Sequence, residues 1–271
     1  MPFPEAAVIA IIGLLAGMLG GMAGVGGSVF ILPALHIAFS PLIFGEPADP
    51  QIHHLYMASA MLVNVAVSFP AAMLHHRQGA VRTPHLPILI PTTSVAVLGG
   101  VLISNQIPGE ALRVILAGFL ILYCIWNLRI VIRPRRRGAS GQGRVENATS
   151  SRLAVCGIFT GLTGGLLGLG GGFLMVPLFQ ILCNYRLKNA IATSSAVLVV
   201  SAAVGAALKI STLPQHHESI RDAFTYVALM APAGMIGAVV GAKLLHRIPV
   251  TAVRTVMTFL ILAAATKLVF S

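Results

Sequence analysis

Apolar residues run in long unbroken stretches near 6–22, 28–39, 56–74, 86–103 and 109–131, and again near 153–168, 172–183, 190–208, 223–245 and 250–269. Continuous runs without strict alternation predict helices and argue against a membrane β-barrel. The ten pieces form two sets of five, and the second piece of each set is short, so the pattern predicts a duplicated helical architecture. Between the sets lies RPRRRGASGQGRVENATSS, Arg133 to Ser151, rich in Arg, Gly and Ser and without apolar periodicity. Such a segment reads as a solvated linker. The chain therefore divides into a first transmembrane repeat over 1–132, a cytoplasmic basic linker over 133–151 and a second transmembrane repeat over 152–271.

The duplication is explicit in the residues. GMLGGMAGVGGSVFILP, Gly17 to Pro33, returns 144 residues later as GLTGGLLGLGGGFLMVP, Gly161 to Pro177, with six glycines and the proline at matching positions. The match continues beyond the motif, since Pro91, Gly100, Ile107, Pro108 and Arg113 recur 141 residues on as Pro232, Gly241, Ile248, Pro249 and Arg254. The whole unit is repeated, not only the glycine stretch.

Composition moves the reading from a soluble domain to a membrane. Of 271 residues 56% are hydrophobic and 9% charged, whereas a soluble domain carries roughly 25% charged residues. At about 20 residues per crossing, the length suits about eight to ten membrane segments. The expected fold is an all-α integral membrane protein of two inverted repeats with glycine-broken helices, multi-pass in the cell membrane, as in a bacterial inner membrane.

The formal charge of +11 would suit a nucleic-acid binder in a soluble protein, but the basic residues sit between apolar runs. That distribution is the positive-inside bias of loops, and no nucleic-acid partner is expected. If the two pieces around each glycine stretch enter and leave on the same side, each half crosses an odd number of times. Fourteen of the eighteen Lys and Arg then fall at inner ends, with both termini outside and the linker inside. If each broken piece crosses once, the division falls to about twelve against six. The count favours inverted repeats, an arrangement many secondary transporters use.

Several features read plainly. Cys124, Cys156 and Cys183 have no CxxC spacing and an odd count, so they are taken as small core residues without a disulfide or metal. The opening MPFPEAAVIA lacks a basic region and carries Glu5, so it is read as the outer end of the first helix rather than a cleaved signal peptide. The linker's basic cluster is read as topogenic rather than lipid-binding. Asn147-Ala-Thr149 has the glycosylation form, but a cytoplasmic linker would never meet the glycosylating enzyme.

The glycines raise a chemical question, because each one inside a helix costs about 1 kcal/mol relative to alanine. Non-helical backbone at membrane depth is tolerated where it is buried in protein or lines a wet cavity. A helix restarting near Ser28 or Gly172 would aim unpaired N–H groups and its positive dipole end at such a cavity, which suits an anion. Gly24, Gly26, Gly27 and Ser28, with Gly168, Gly170, Gly171 and Gly172, are therefore the candidate substrate-binding backbone. Gly17, Gly20 and Gly21 are assigned instead to helix packing, as small residues spaced four apart commonly are.

Side chains extend the candidate site. Ser59, Asn64, Thr193 and Ser194 are added to it, and Ser59 and Thr193 correspond by repeat alignment, so they are expected to face one pseudo-symmetric cavity. Ser68, Ser195 and Ser201 are further polar residues inside the same segments. All seven acidic residues fall in loops or at helix ends, which removes a carboxylate relay from the interior and spares an anion its repulsion. His75, His76 and Lys209 close helices and are expected to snorkel to the interface, while Arg113 and Arg254 are read as anchors of helix starts, with an anion entrance as the alternative. No cofactor is expected.

At these residues a resemblance appears. The doubled G-x-x-G-G-x-x-G-x-G-G-(S/G)-x-x-x-x-P, the Ala58-Ser59 and Ala192-Thr193-Ser194 that follow, and the Gly241-Ala242-Lys243-Leu244-Leu245 and Ile248-Pro249 ending together resemble the sulfite exporter TauE/SafE family. The resemblance covers nearly the whole chain. It implies a polytopic permease for small anions, sulfite or organosulfonates above all, with a small anionic substrate and the lipid bilayer as partners and no enzymatic step. Two rivals stand beside it. An anion channel could be lined by the same dipoles. An intramembrane serine enzyme would need Ser28 as nucleophile, yet Val29 follows it, Gly172 replaces it in the second half, and the nine histidines lie near helix ends or in loops.

Overall fold

The computed structural model describes residues 3–39, 52–132, 146–244, 258–259 and 261–262, so most of the linker and of the last apolar segment, Arg254 included, lie outside the described residues. The helices are α1 (Phe3–Ala23), α2 (Ser28–Ala38), α3 (Ile52–Arg77), α4 (Leu86–Ser104), α5 (Gly109–Ile132), α6 (Ser150–Leu166), α7 (Met175–Leu182), α8 (Leu187–Ser211) and α9 (Ile220–Leu244). Among the described residues, α1, α3, α4 with its preceding turn, α8 and α9 are long and apolar enough to cross a membrane. The molecule is an all-helical integral membrane protein. The short second pieces of each half are α2 and α7, each restarting just after its glycine stretch.

Burial sorts the helices into layers. Most of α3 and α8 is enclosed by neighbours, whereas Val95 of α4, Phe159 of α6 and Ile236 of α9 stand more than half exposed. A helix apolar all round belongs in a protein core or against lipid. Here α3 and α8 form the centre, and α4, α6 and α9 carry the outward apolar surface.

Helix pairing crosses between the halves. The most extensive contacts join α1 to α9, α4 to α6 and α3 to α8. Gly13, Gly17 and Gly21 of α1 face Met230, Gly234 and Ala238 of α9 in rising order, so these helices run parallel. Gly157, Gly161 and Gly165 of α6 meet Thr92, Thr93 and Val97 of α4 in the same sense. By contrast, Lys209 near the end of α8 bonds His54 near the start of α3, and Gly205 abuts Met61, so the two central helices are antiparallel. The equivalent helices of the two halves thus exchange partners.

Gly17 and Gly21 serve packing, as their spacing suggests. A Cβ at Gly17 would lie 2.1 Å from the Gly234 carbonyl oxygen. Gly20 and Gly164 depart from that role, because a Cβ there would strike the chain's own break, 2.3 Å from the Gly26 carbonyl oxygen and 2.0 Å from the Gly171 nitrogen. Overpacking such a backbone contact costs about 1–3 kcal/mol. Gly17→Ala is therefore expected to lower the melting temperature of the purified protein, whereas Gly118→Ala, with open space at its Cβ, should leave it unchanged.

Candidate functional site

The two glycine stretches begin with the same backbone turn. Gly24 and Gly26 take left-handed φ values of 67° and 73°, and their counterparts Gly168 and Gly170 take 72° and 70°. Two left-handed residues flanking one ordinary residue turn the chain out of α1 and back into α2, and likewise out of α6 toward α7.

At the first break the N–H groups of Gly27 and Ser28 are already taken. The Asn64 side-chain oxygen accepts from the N–H of Gly27 at 2.6 Å and of Ser28 at 2.9 Å. Its Nδ2 donates to the Ser28 hydroxyl at 2.7 Å and to the Leu169 carbonyl at 3.3 Å in the opposite break. Asn64, fully buried on α3, thus caps α2 from another helix in the way a local N-cap residue would. The expectation that α2 aims open N–H groups at a cavity is corrected here, because a carboxamide oxygen occupies them.

The second break differs in its third glycine, with Gly171 at φ 90° against −93° for Gly27, and in the side chain that faces it. By the repeat alignment that pairs Ser59 with Thr193, Asn64 pairs with Leu198. Leu198 cannot accept a hydrogen bond, and its methyl groups pack where a Cβ would sit on Gly26, Gly170 or Gly172. The N–H groups of Gly171, Gly172 and Phe173 accordingly have no acceptor among the described residues. A narrow pocket beside this break is lined by Phe119, Thr160, Gly164, Leu169, Gly171 and Phe173.

Two serines of α8 bind the breaks together. The Ser194 hydroxyl lies 2.7 Å from the Gly24 carbonyl and 3.1 Å from the Gly172 carbonyl, sharing its proton between the halves. The Ser201 hydroxyl donates to the Gly170 carbonyl at 2.9 Å. Ser194, Leu198 and Ser201 follow one another by about a turn, so they share one face of α8. That spacing was the signal by which Ser201 could have joined the predicted set.

Of the remaining candidates, Ser59 and Thr193 do not reach the breaks. The Ser59 hydroxyl donates to the Leu55 carbonyl at 2.9 Å, one turn back in its own helix. Thr193 accepts from the Arg82 backbone N–H at 3.0 Å, beyond the end of α3. Because α3 and α8 are antiparallel, residues near their starts lie toward opposite ends of the molecule, so the expected shared cavity for this pair does not form.

The end-of-helix reading needs correction as well. His76 is exposed, but His75 and Lys209 are buried, Lys209 completely. The Lys209 amine donates to Ser104 Oγ at 3.0 Å and Asn105 Oδ1 at 2.7 Å and is hydrogen-bonded to His54 Nδ1 at 2.7 Å. Inward partners from α3 and the end of α4 hold the amine where snorkelling would otherwise carry it outward. At the opposite end Arg82 pairs with Glu146, which also accepts from Asn189. Partial burial pushes the Glu146 pKa up, but these hydrogen bonds and the Arg82 charge outweigh it and hold the carboxyl below its ordinary range. The linker's last residues are thereby tied to the start of α8 and to the segment between α3 and α4.

Comparison with known proteins places this geometry among others. A family model described as sulfite exporter TauE/SafE matches residues 9–268. A probable membrane transporter protein, MamO of Paramagnetospirillum magneticum, is 26% identical over 97% of this chain, which spans only 44% of that longer relative. The probable membrane transporter proteins YunE and YdhB of Bacillus subtilis are 23% and 25% identical, the first over 97% of both chains and the second over 89% of this chain and 91% of its own. No solved structure matches the chain.

Proposed function

The chain belongs to the sulfite exporter TauE/SafE family, and on that premise we propose that it is a multi-pass carrier for small sulfur-containing oxyanions whose central site lies between the two glycine breaks. The observation that carries this reading is the convergence of both breaks on Asn64, Ser194 and Ser201, with the N–H groups of Gly171, Gly172 and Phe173 left without acceptors. Backbone N–H groups beside a helix start are a natural cradle for an oxyanion, and the helix dipole adds to the attraction. The acidic residues lie in loops or at the ends of the hydrophobic segments, away from the breaks. The choice of sulfur follows the family, since N–H donors do not read the central atom.

Alternating access is supported by the helix directions. One group of helices, α1, α3 and α9, runs one way, and α4, α6 and α8 run the other, as inverted repeats would require. Rocking one half against the other would then expose the breaks to each side in turn. Covalent chemistry has no support at Ser28, whose hydroxyl is occupied by the Asn64 amide rather than by a histidine.

Two experiments test the reading. Protein in liposomes, offered sulfite, sulfoacetate, thiosulfate, sulfate, phosphate, chloride and acetate, is expected to give saturable flux of a sulfur anion that its relatives compete. Movement of only non-sulfur anions would overturn the substrate, and rates near open diffusion would point to a channel. In a cysteine-free background, Gln215→Cys should label from outside intact cells and Ser140→Cys should not. Outside labelling of Ser140→Cys would overturn the placement of the linker.

A further inference from the structure

The end of the molecule where α3 begins holds a second concentration of donors that the central site does not use. Lys209 is hydrogen-bonded to three groups, His54 Nδ1, Ser104 Oγ and Asn105 Oδ1. Ser104 spends its proton on the Val101 carbonyl and Asn105 Nδ2 donates to Thr212, which leaves Ser104 Oγ and Asn105 Oδ1 to accept from the amine. All three of these positions on the nitrogen are engaged within the protein, so Lys209 keeps no N–H for a further ligand.

Further ring and guanidinium nitrogens lie near it. His53 is hydrogen-bonded through Nδ1 to His36 Nε2 at 2.8 Å and lies within electrostatic reach of Lys209 and Arg113. His216 stacks on His54 with ring centroids 3.7 Å apart. The buried atoms His53 Nε2, His216 Nε2 and Arg113 Nε have no hydrogen-bond partner among the described residues. Among those residues the salt bridge joins Arg82 and Glu146 at the other end, and the acidic group of Glu218 acts on Tyr56 and Tyr226 rather than pairing with Lys209 or Arg113.

A buried cation without a counter-ion is strongly disfavoured, and so is each buried donor without an acceptor. One small anion with two or more acceptor oxygens would resolve both. We propose that Arg113, His53 and His216, beside the inward-held Lys209, form an anion-binding vestibule for a small oxyanion, separate from the glycine breaks. His54 and Asn64 lie ten residues apart on α3, about 15 Å along the helix axis. An anion held here would wait at one mouth of the path, and the site stands whether or not the breaks carry the transported ion.

The test is equilibrium binding of 35S-labelled sulfite to the full-length protein in detergent at low ionic strength, with monodispersity on gel filtration as the check on folding. Arg113→Gln should weaken saturable binding about tenfold or more, the loss expected for one charge-assisted contact, and Arg113→Lys should restore part of it. Lys209→Gln provides a second variant with the same expected direction. Asn64→Leu should leave this class of binding in place even if it stops flux. Competition by phosphate as well as sulfate would show that the vestibule reads oxyanion charge rather than sulfur, and chloride should compete poorly. Unchanged binding in both Arg113→Gln and Lys209→Gln would overturn the proposal. So would the absence of saturable wild-type binding, or its loss in Asn64→Leu alone, which would place the anion at the breaks.

Discussion

Asn64→Leu is expected to abolish saturable anion flux and to lower the melting temperature of the purified protein. The substitution removes the oxygen that accepts from Gly27 and Ser28 and the amide that bridges to Leu169. Two buried N–H groups would be left without acceptors, at about 1–3 kcal/mol each. Volume is a smaller concern, since leucine already stands at the equivalent Leu198. Asn64→Asp separates structure from transport. A carboxylate would still accept from both N–H groups and hold α2 in place, so thermal stability should fall less, but its charge at the junction of the breaks would repel an anion. The melting curve and the liposome flux of the two variants should therefore diverge. Wild-type flux from Asn64→Asp would remove the anion from this junction.

Adjacent glycines of the first break should respond very differently to alanine. Gly26 has φ 73°, and a Cβ there would lie 2.5 Å from Asn64 Oδ1 and 2.8 Å from Leu198 Cδ2. The left-handed backbone alone costs an alanine about 1–2 kcal/mol, and the clash would push Asn64 off the start of α2. Gly26→Ala is expected to reduce flux about tenfold or more even where the protein inserts normally, because about 1.4 kcal/mol at the site already corresponds to tenfold. Gly27 has an ordinary φ, and its nearest Cβ contact is 3.1 Å to the flexible Cδ1 of Ile31. Gly27→Ala should keep most of the flux. Equal losses at the two positions would mean that overall helix propensity, rather than the geometry at Gly26, controls transport.

The contrast between those neighbours also marks how far the sequence could be read. It determined the helical class, the order of the elements and the position of both breaks, because long apolar runs and doubled glycines act locally. Missing Cβ atoms allow a left-handed turn wherever they occur, so matching spacing at Gly24, Gly26, Gly168 and Gly170 yields matching φ values. The packing of Gly17 and Gly21 was equally legible, since spacing by four residues puts them on one helix face. Partner choice was not legible. The α2 donors go to Asn64, 36 and 37 residues away in sequence, Ser194 reaches Gly24 across 170 residues, and Lys209 is drawn inward by His54 across 155. Spacing along one helix fixes which residues share a face, but only the antiparallel contact of α3 with α8 decides what that face meets. For that reason Ser59 and Thr193, equivalent in the repeat, spend their hydroxyls away from the breaks, while Asn64 and Leu198, also equivalent, give one helix start a cap and leave the other open.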